Sequence, residues 1–296
     1  MSRLTLNSPA KVNLFLKVLN KRSDNYHNIK TIFERISLFD TISLEATPGK
    51  RIKINCKDPQ VPKNSSNLCF RAAAILQERF GVKSGVEIAI IKRIPVGAGL
   101  GGGSSNAACV LAGLNKLWKL RIPVNKLAKI AASIGADVPF FVYNSSFALG
   151  EARGDRITPF KNPRNLRLWH ILVVPRIKVL TPFIYKEWDK RLKNKKLRLT
   201  MPGSNVKIFR LALNRKDPSL IKEALFNSLE AVTVKLHPEV GLIKKELALL
   251  GLKTILMSGS GPAVFGVVSS GKEAATVKRI LAKKRKSWRI FTAKTV

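Results

Sequence analysis

Acidic residues are scarce in this chain of 296 residues: 18 Asp plus Glu stand against 54 Lys plus Arg, a formal net charge of +36. Three explanations fit that balance: a basic source proteome, nucleic-acid binding, or substrates that carry several phosphates, which a basic surface steers. The basic residues are spread along the chain, with dense runs at Lys186–Arg198 and Lys283–Arg289. Aromatics are nearly missing from those runs, which hold one each, Trp188 and Trp288. That is too few to stack successive bases, so no specific nucleic-acid partner is expected.

Cysteine is also rare. Cys56, Cys69 and Cys109 are odd in number and widely spaced, which fits neither a disulfide framework nor a metal site and predicts reduced thiols. Apolar runs are short; Ile88–Ile91 and Ile171–Val174 are strand-sized, far below the ~18 residues that span a bilayer. Leu14–Leu16, closely flanked by Lys11 and Lys17, is too short for a signal-peptide core. No membrane partner and a cytoplasmic location are therefore expected. No internal repeat or long low-complexity stretch occurs. With 45% apolar and 24% charged residues the composition is globular, and the length suits one large or two medium domains.

The order of elements reads as α+β. Val12–Val18, Thr41–Ala46, Arg51–Cys56 and Val86–Ile91 are predicted strands, the second and third by alternation. Asn67 is the predicted N-cap of a helix through Phe80, and Gly81 its C-terminal cap. After a glycine loop, an apolar helix runs to Trp118 and another covers Pro123–Ile134. The pattern lapses at Thr158–Arg167, where a domain boundary is placed, giving units 1–160 and 161–296. Leu168–Val174, Thr254–Met257, Ala263–Val268 and Trp288–Ala293 read as strands. Asp217–Leu229, Pro238–Leu250 and Lys272–Ala282 read as helices, and Lys186–Arg198 as a solvated basic segment.

Four pieces carry chemistry. Pro95-Val96-Gly97-Ala98-Gly99-Leu100-Gly101-Gly102-Gly103-Ser104-Ser105 places five glycines in seven residues between a strand and a helix. Glycine lets the backbone approach a ligand closely, and the helix start offers free N–H groups to phosphate. It is neither a Walker A loop nor a dinucleotide fingerprint; a flexible linker is the plainer alternative. Ser258-Gly259-Ser260-Gly261-Pro262 is a second glycine turn, alone no more than a hairpin. Gly135-Ala-Asp137-Val-Pro139 sets one carboxylate at a helix start, where Asp137 is otherwise an N-cap or helix-dipole residue. Ser8-Pro-Ala-Lys11-Val-Asn13-Leu14 puts Lys11 and Asn13 on one face of an apolar strand. A lysine there needs an anion, unless the strand is an exposed edge.

Together, in this order, these pieces resemble the three motifs of the GHMP kinases. Asp24-Asn25-Tyr26-His27, the Gly-Gly-Gly-Ser-Ser-Asn-Ala-Ala form of the loop and Gly135–Pro139 are similar to the branch that acts on a cytidine diphosphate-linked methylerythritol. The resemblance spans roughly residues 4 to 295. It implies an N-terminal domain like ribosomal protein S5 domain 2, a ferredoxin-like C-terminal domain, and a cleft between them. It also implies ATP and Mg²⁺, with phosphoryl transfer to a small-molecule alcohol. Asp137 matches the catalytic base and Lys11 its partner. Residues 95–105 match the ATP loop, and Gly259, Ser260 and Gly261 the C-terminal glycine motif. Asn13, Tyr26, His27, Thr181 and Tyr185 match substrate contacts, with the aromatics on the cytosine. No Mg²⁺ ligand is assigned; Ser104 and Ser105 are candidates. Ala152 stands where relatives often carry glycine, and neither the run Lys186–Arg198 nor the +36 charge has a family counterpart. Another GHMP kinase (for homoserine, mevalonate or a sugar) and a basic nucleic-acid-binding protein are the alternatives. Tyr26, His27 and Tyr185 argue against the first, and the glycine loop and Asp137 against the second.

Overall fold

The computed structural model describes residues 3–193 and 205–296; the end of the basic run, 194–198, lies outside them. The chain opens with two long strands, β1 (Arg3–Lys21) and β2 (His27–Thr47), paired antiparallel. They extend well beyond the apolar stretches expected at Val12–Val18 and Thr41–Ala46. Lys11, Asn13, Thr31 and Glu34 are all buried, so polar side chains break the alternation without breaking the ladder, which the partner strand maintains.

There follow β3 (Ile52–Cys56), α1 (Leu68–Phe80) and β4 (Gly85–Ile91), then α2 (Gly102–Leu117), α3 (Val124–Ile134), α4 (Val138–Val142), β5 (Phe147–Glu151) and β6 (Arg156–Pro159). The first sheet runs β3-β4-β2-β1, with β5 on the remaining part of β2 and β6 on β5. Asn67 caps α1 by accepting from the Cys69 N–H, and Gly81 ends it in the left-handed region. Leu76, Leu111, Leu114 and Ile130 from α1–α3 pack with Ile42, Leu44 and Ile88 of the sheet into one core. Burial pushes up the thiols of Cys69 and Cys109, the latter to about 11, and all three cysteines are free.

The second part comprises β7 (Trp169–Val174), α5 (Thr181–Lys193), α6 (Asn205–Arg215), α7 (Ile221–Ala224), β8 (Phe226–Asn227), α8 (Glu230–Leu236), α9 (Pro238–Leu249), β9 (Ile255–Met257), β10 (Val264–Val268), α10 (Gly271–Lys284) and β11 (Arg289–Lys294). Its antiparallel sheet has the order β11-β7-β10-β9. That is fourth-first-third-second, the arrangement of the ferredoxin-like fold.

Two expectations are corrected here. Lys186–Lys193 is not solvated throughout: it belongs to α5, where Lys186 and Lys190 are exposed as expected but Trp188, one turn from Ile184, is fully buried. Asp217–Leu229 is not one helix. A 3₁₀ turn at Pro218–Leu220 and the short α7 give way at Leu225, which is extended, to β8, which crosses back to pair parallel with β1. The Asn227 amide donates to Met257 and Gly259 carbonyls, and the Ser228 N–H donates to Leu16 O. These tertiary bonds outweigh the helical spacing of the apolar residues. The two sheets are further tied by buried Glu34 of β2, which accepts from His170 Nε2 of β7 at 2.9 Å and from the Thr295 hydroxyl at 2.6 Å.

Candidate active site

Three segments far apart in sequence meet where the two sheets face each other. The Lys11 N–H donates to Leu100 O, joining β1 to the glycine loop. The Ser258 hydroxyl donates to Gly99 O and accepts from the Asn13 N–H, and the Ala263 N–H donates to Ala98 O. Each of the three glycine- or lysine-bearing motifs thus bonds the other two. Gly99 has φ +75°, and a Cβ there would lie 2.3 Å from Ser258 O. Only glycine permits both that backbone and that approach.

Lys11 and Asn13 share a face of β1, as expected, and that face is buried. The Lys11 ammonium donates to Asn13 Oδ1 at 2.5 Å and stands 3.7 Å from Asp137 Oδ2. Asn13 is held in turn by donating to the Thr31 hydroxyl at 2.8 Å. Burial pushes the Lys11 ammonium below its ordinary range, and the Asp137 charge pulls partly the other way. Asp137 precedes α4 but caps none of its amides. Its carboxylate is about one-third exposed.

Two cavities flank this point, and Gly99 lines both. One, of about 340 Å³, is lined by Pro95 through Ser104 and by the segment before α1. Ser105 stands outside it, with its buried hydroxyl 2.7 Å from that of Ser8. The other, of about 630 Å³, brings together Lys11, Asn13, Asp137, Tyr26, His27, Thr181, Tyr185, Gly259 and Ser260. Gly261 lies behind the turn, where a Cβ would strike Met257 Sδ. Thr181 and Ser260 hydroxyls are 2.7 Å apart, closing α5 onto the C-terminal turn. Tyr185 stacks on His27, ring centroids 5.0 Å apart and planes 28° apart. Burial and the Asp137 charge push the Tyr185 phenol up, so it stays neutral. Tyr26 is exposed, with the Arg153 guanidinium 5.3 Å over its ring.

Four residues escaped the sequence reading. Lys92 pairs with fully buried Asp40 at 2.5 Å and lines the smaller cavity. Asp40 also accepts from the Arg93 and Ile94 N–H groups, fixing the chain as it enters the glycine loop. Asn227 holds the C-terminal turn through Gly259 O. Asp189 accepts from Lys21 at 3.1 Å and lies 2.7 Å from His27 Nε2. None sits in a local pattern; each meets its partner through long-range packing.

Residues 67–145 match the GHMP kinases N terminal domain, and residues 209–287 the GHMP kinases C terminal domain. A protein of Geobacillus kaustophilus is 42% identical over 267 residues, covering 90% of this chain and 88% of its own. One from Bacillus cytotoxicus is 44% identical with the same coverage. The chain belongs to the GHMP kinases. Both relatives are named 4-diphosphocytidyl-2-C-methyl-D-erythritol kinase. A crystal structure of 4-(cytidine 5'-diphospho)-2C-methyl-D-erythritol kinase matches this GHMP kinase with a TM-score of 0.80 at 32% identity, covering 98% of each chain.

Kinases of this family use ATP, and Mg²⁺ commonly accompanies it. Mg²⁺ in such sites is carried by phosphates and water, with one or two protein oxygens. Among the described residues no group of three His, Cys, Asp or Glu forms a cage. Of the two serines, Ser104 lines the smaller cavity and Ser105 does not. No described helix of this GHMP kinase is long and apolar enough to cross a membrane.

Proposed function

We propose that this GHMP kinase transfers the terminal phosphoryl group of ATP to the 2-hydroxyl of 4-diphosphocytidyl-2-C-methyl-D-erythritol, giving the 2-phosphate and ADP in isoprenoid precursor synthesis. The observation that carries the reading is the seam at Gly99. A phosphate-binding loop borders one cavity, a carboxylate–lysine pair with aromatics borders the other, and the two meet at that residue. The larger cavity suits a ligand with an aromatic base, a diphosphate and a polyol. Its Tyr185–His27 stack and Tyr26 offer π-faces to the base, and Lys21, Arg153 and Lys186 line it for the phosphates. Homoserine or mevalonate offers no base for those rings.

Phosphoryl transfer is dominated by positioning and charge stabilisation. N–H groups at the start of α2 hold the ATP phosphates. Ser104, together with phosphate oxygens of the nucleotide, would hold Mg²⁺, which would supply neutralisation of phosphate charge. Asp137 accepts the proton of the attacking hydroxyl. Lys11, kept in place by Asn13, faces both the carboxylate and the transferring group. Asn13, Thr181 and Ser260 orient the polyol. Residues 1–160 form the ATP-binding domain and residues 161–296 the C-terminal domain that closes the cavity. The enzyme acts in the cytoplasm on a soluble small molecule.

The test is ADP release measured with the cytidyl substrate, mevalonate and homoserine side by side. Turnover with the first alone is expected. Faster turnover with either of the others would overturn the assignment.

A further inference from the structure

His27 is the most constrained of the aromatic groups in the larger cavity. Its ring is buried to 6% exposure and lies flat against Tyr185. Nε2 is 2.7 Å from Asp189 Oδ1, while Asp189 Oδ2 accepts from the Lys21 ammonium at 3.1 Å. Asp189 is one of only two acids in the run Lys186–Arg198, and α5 carries it to the wall of the cavity. Burial alone would raise its carboxyl; the bonds and charges of His27 and Lys21 outweigh that and hold it below the ordinary range.

An ionised carboxylate can only accept hydrogen bonds. The proton between the two groups therefore sits on His27 Nε2, and in the neutral ring Nδ1 carries the lone pair. His27 Nδ1 has no hydrogen-bond partner among the described residues, and it is not one of the buried side-chain atoms left unsatisfied. His27 itself lines the cavity, so Nδ1 is an acceptor open to a ligand. The donor that cytosine has and uracil lacks is the exocyclic 4-amino group; uracil puts a carbonyl oxygen there. Two acceptors facing each other leave both unsatisfied, and that is where discrimination arises.

We infer that Asp189 is a positioning residue for pyrimidine choice: by holding the proton on Nε2 of His27 and the ring against Tyr185, it makes Nδ1 a fixed acceptor that favours a 4-aminopyrimidine over a 4-oxopyrimidine. The inference rests on the cytidyl-substrate reading above. The same carboxylate ties α5 to the end of β1 through Lys21.

The experiment compares kcat and KM for the cytidyl substrate and its uridyl counterpart in wild type, Asp189→Ala, Asp189→Asn and Lys21→Met. In parallel, the His27 Nε2 proton is followed by NMR. Wild type should show a slowly exchanging, hydrogen-bonded imidazole proton, absent in Asp189→Ala. That variant should raise the cytidyl KM about ten-fold, roughly 1.4 kcal/mol, with kcat within two-fold and ATP KM unchanged. The cytidyl-over-uridyl preference should fall by a similar factor. Asp189→Asn keeps an acceptor oxygen in the same volume and should recover part of both. Lys21→Met removes a cation facing the phosphates and should raise KM for both substrates alike, so the preference is kept while the His27 contact stays in place. An Asp189→Ala enzyme with wild-type cytidyl KM and preference overturns the inference while leaving the substrate reading standing. A wild type that does not turn over the cytidyl substrate overturns both. Loss of kcat with KM unchanged also overturns it, since that marks Asp189 as acting on the chemical step.

Discussion

Lys11 gives its short hydrogen bond to Asn13, at 2.5 Å, and stands 3.7 Å from the Asp137 carboxylate, an ion pair too long for a hydrogen bond. The cation is thus anchored from below while the carboxylate keeps its lone pairs free for a substrate hydroxyl. Catalytic contacts of this kind commonly tighten only in the substrate complex. Asp137→Asn is expected to lower kcat by about 10²–10⁴, the usual worth of a general base, with substrate KM little changed. Lys11→Ala should lose nearly as much. Groups that act as a unit are not additive, so the double variant should be little slower than either single one. Losses that multiply would show that the two residues act independently.

The depressed range of Lys11 sets a pH dependence. Burial lowers its pKa in the folded protein, so the charge is lost as pH rises, before the ordinary lysine value of about 10.4 is reached. In that window the unfolded chain holds the proton more firmly than the folded one, so this group's contribution to stability rises with pH. Activity should therefore fall on the alkaline side while the fold persists. Lys11→Arg keeps its charge and should move the alkaline limb upward, whatever its absolute kcat. kcat–pH profiles with melting temperatures at each pH check this; an unmoved limb in the arginine variant assigns it elsewhere.

Gly101 is closed in by the Lys11 stem and the Phe141 ring. It has φ +68°, and a Cβ there would lie 2.9 Å from Lys11 Cγ and 3.1 Å from Phe141 Cζ. Gly101→Ala should displace the Lys11 stem and lower kcat ten-fold or more, on the order of 1.4 kcal/mol in the barrier, with a smaller effect on ATP affinity. Equilibrium ATP binding beside steady-state kcat separates the two. Loss of ATP binding with kcat retained would place the clash in the phosphate site instead.

The two tyrosines should behave differently. Base–aromatic stacking contributes about 1–3 kcal/mol, so Tyr26→Ala and Tyr185→Ala should each raise the cytidyl KM roughly ten-fold or more. Exposed Tyr26 should do so without changing the melting temperature. Tyr185 also supports the His27 ring, so its loss should lower stability too. Unchanged KM in both variants would remove the base from this part of the cavity.

Ala152 adopts φ +58°, and its carbonyl accepts from the Ile29 N–H at 2.7 Å. A left-handed alanine costs about 1–2 kcal/mol, of which a glycine would give back about 0.4–1 kcal/mol through the freer unfolded chain. Ala152→Gly should therefore stabilise the protein by about 0.5–1 kcal/mol, read from denaturant midpoints. A destabilised variant would mean that the alanine methyl makes a compensating contact.

What the sequence determined by itself was whatever depends on local backbone demand. Gly97, Gly99, Gly101, Gly259 and Gly261 stood out because positive φ disfavours side chains whatever the rest of the fold does. Asn67 and Gly81 marked the ends of α1 because caps act over one turn. The strands of the second sheet were legible from their apolar runs. The motifs were recognisable together, and with them Lys11 and Asp137. Tertiary structure alone decided what depends on register and crossing. β8 left its helix-like pattern to pair with β1 because Asn227 and Ser228 find hydrogen-bond partners there. Lys92 met Asp40 from 52 residues away, and Asp189 met His27 from 162. Asp189 was hidden in a basic run because charge density says nothing about which face of a helix is buried. In α5, Ile184 and Trp188 turn one face into the core, and Asp189 follows onto the side facing the cavity.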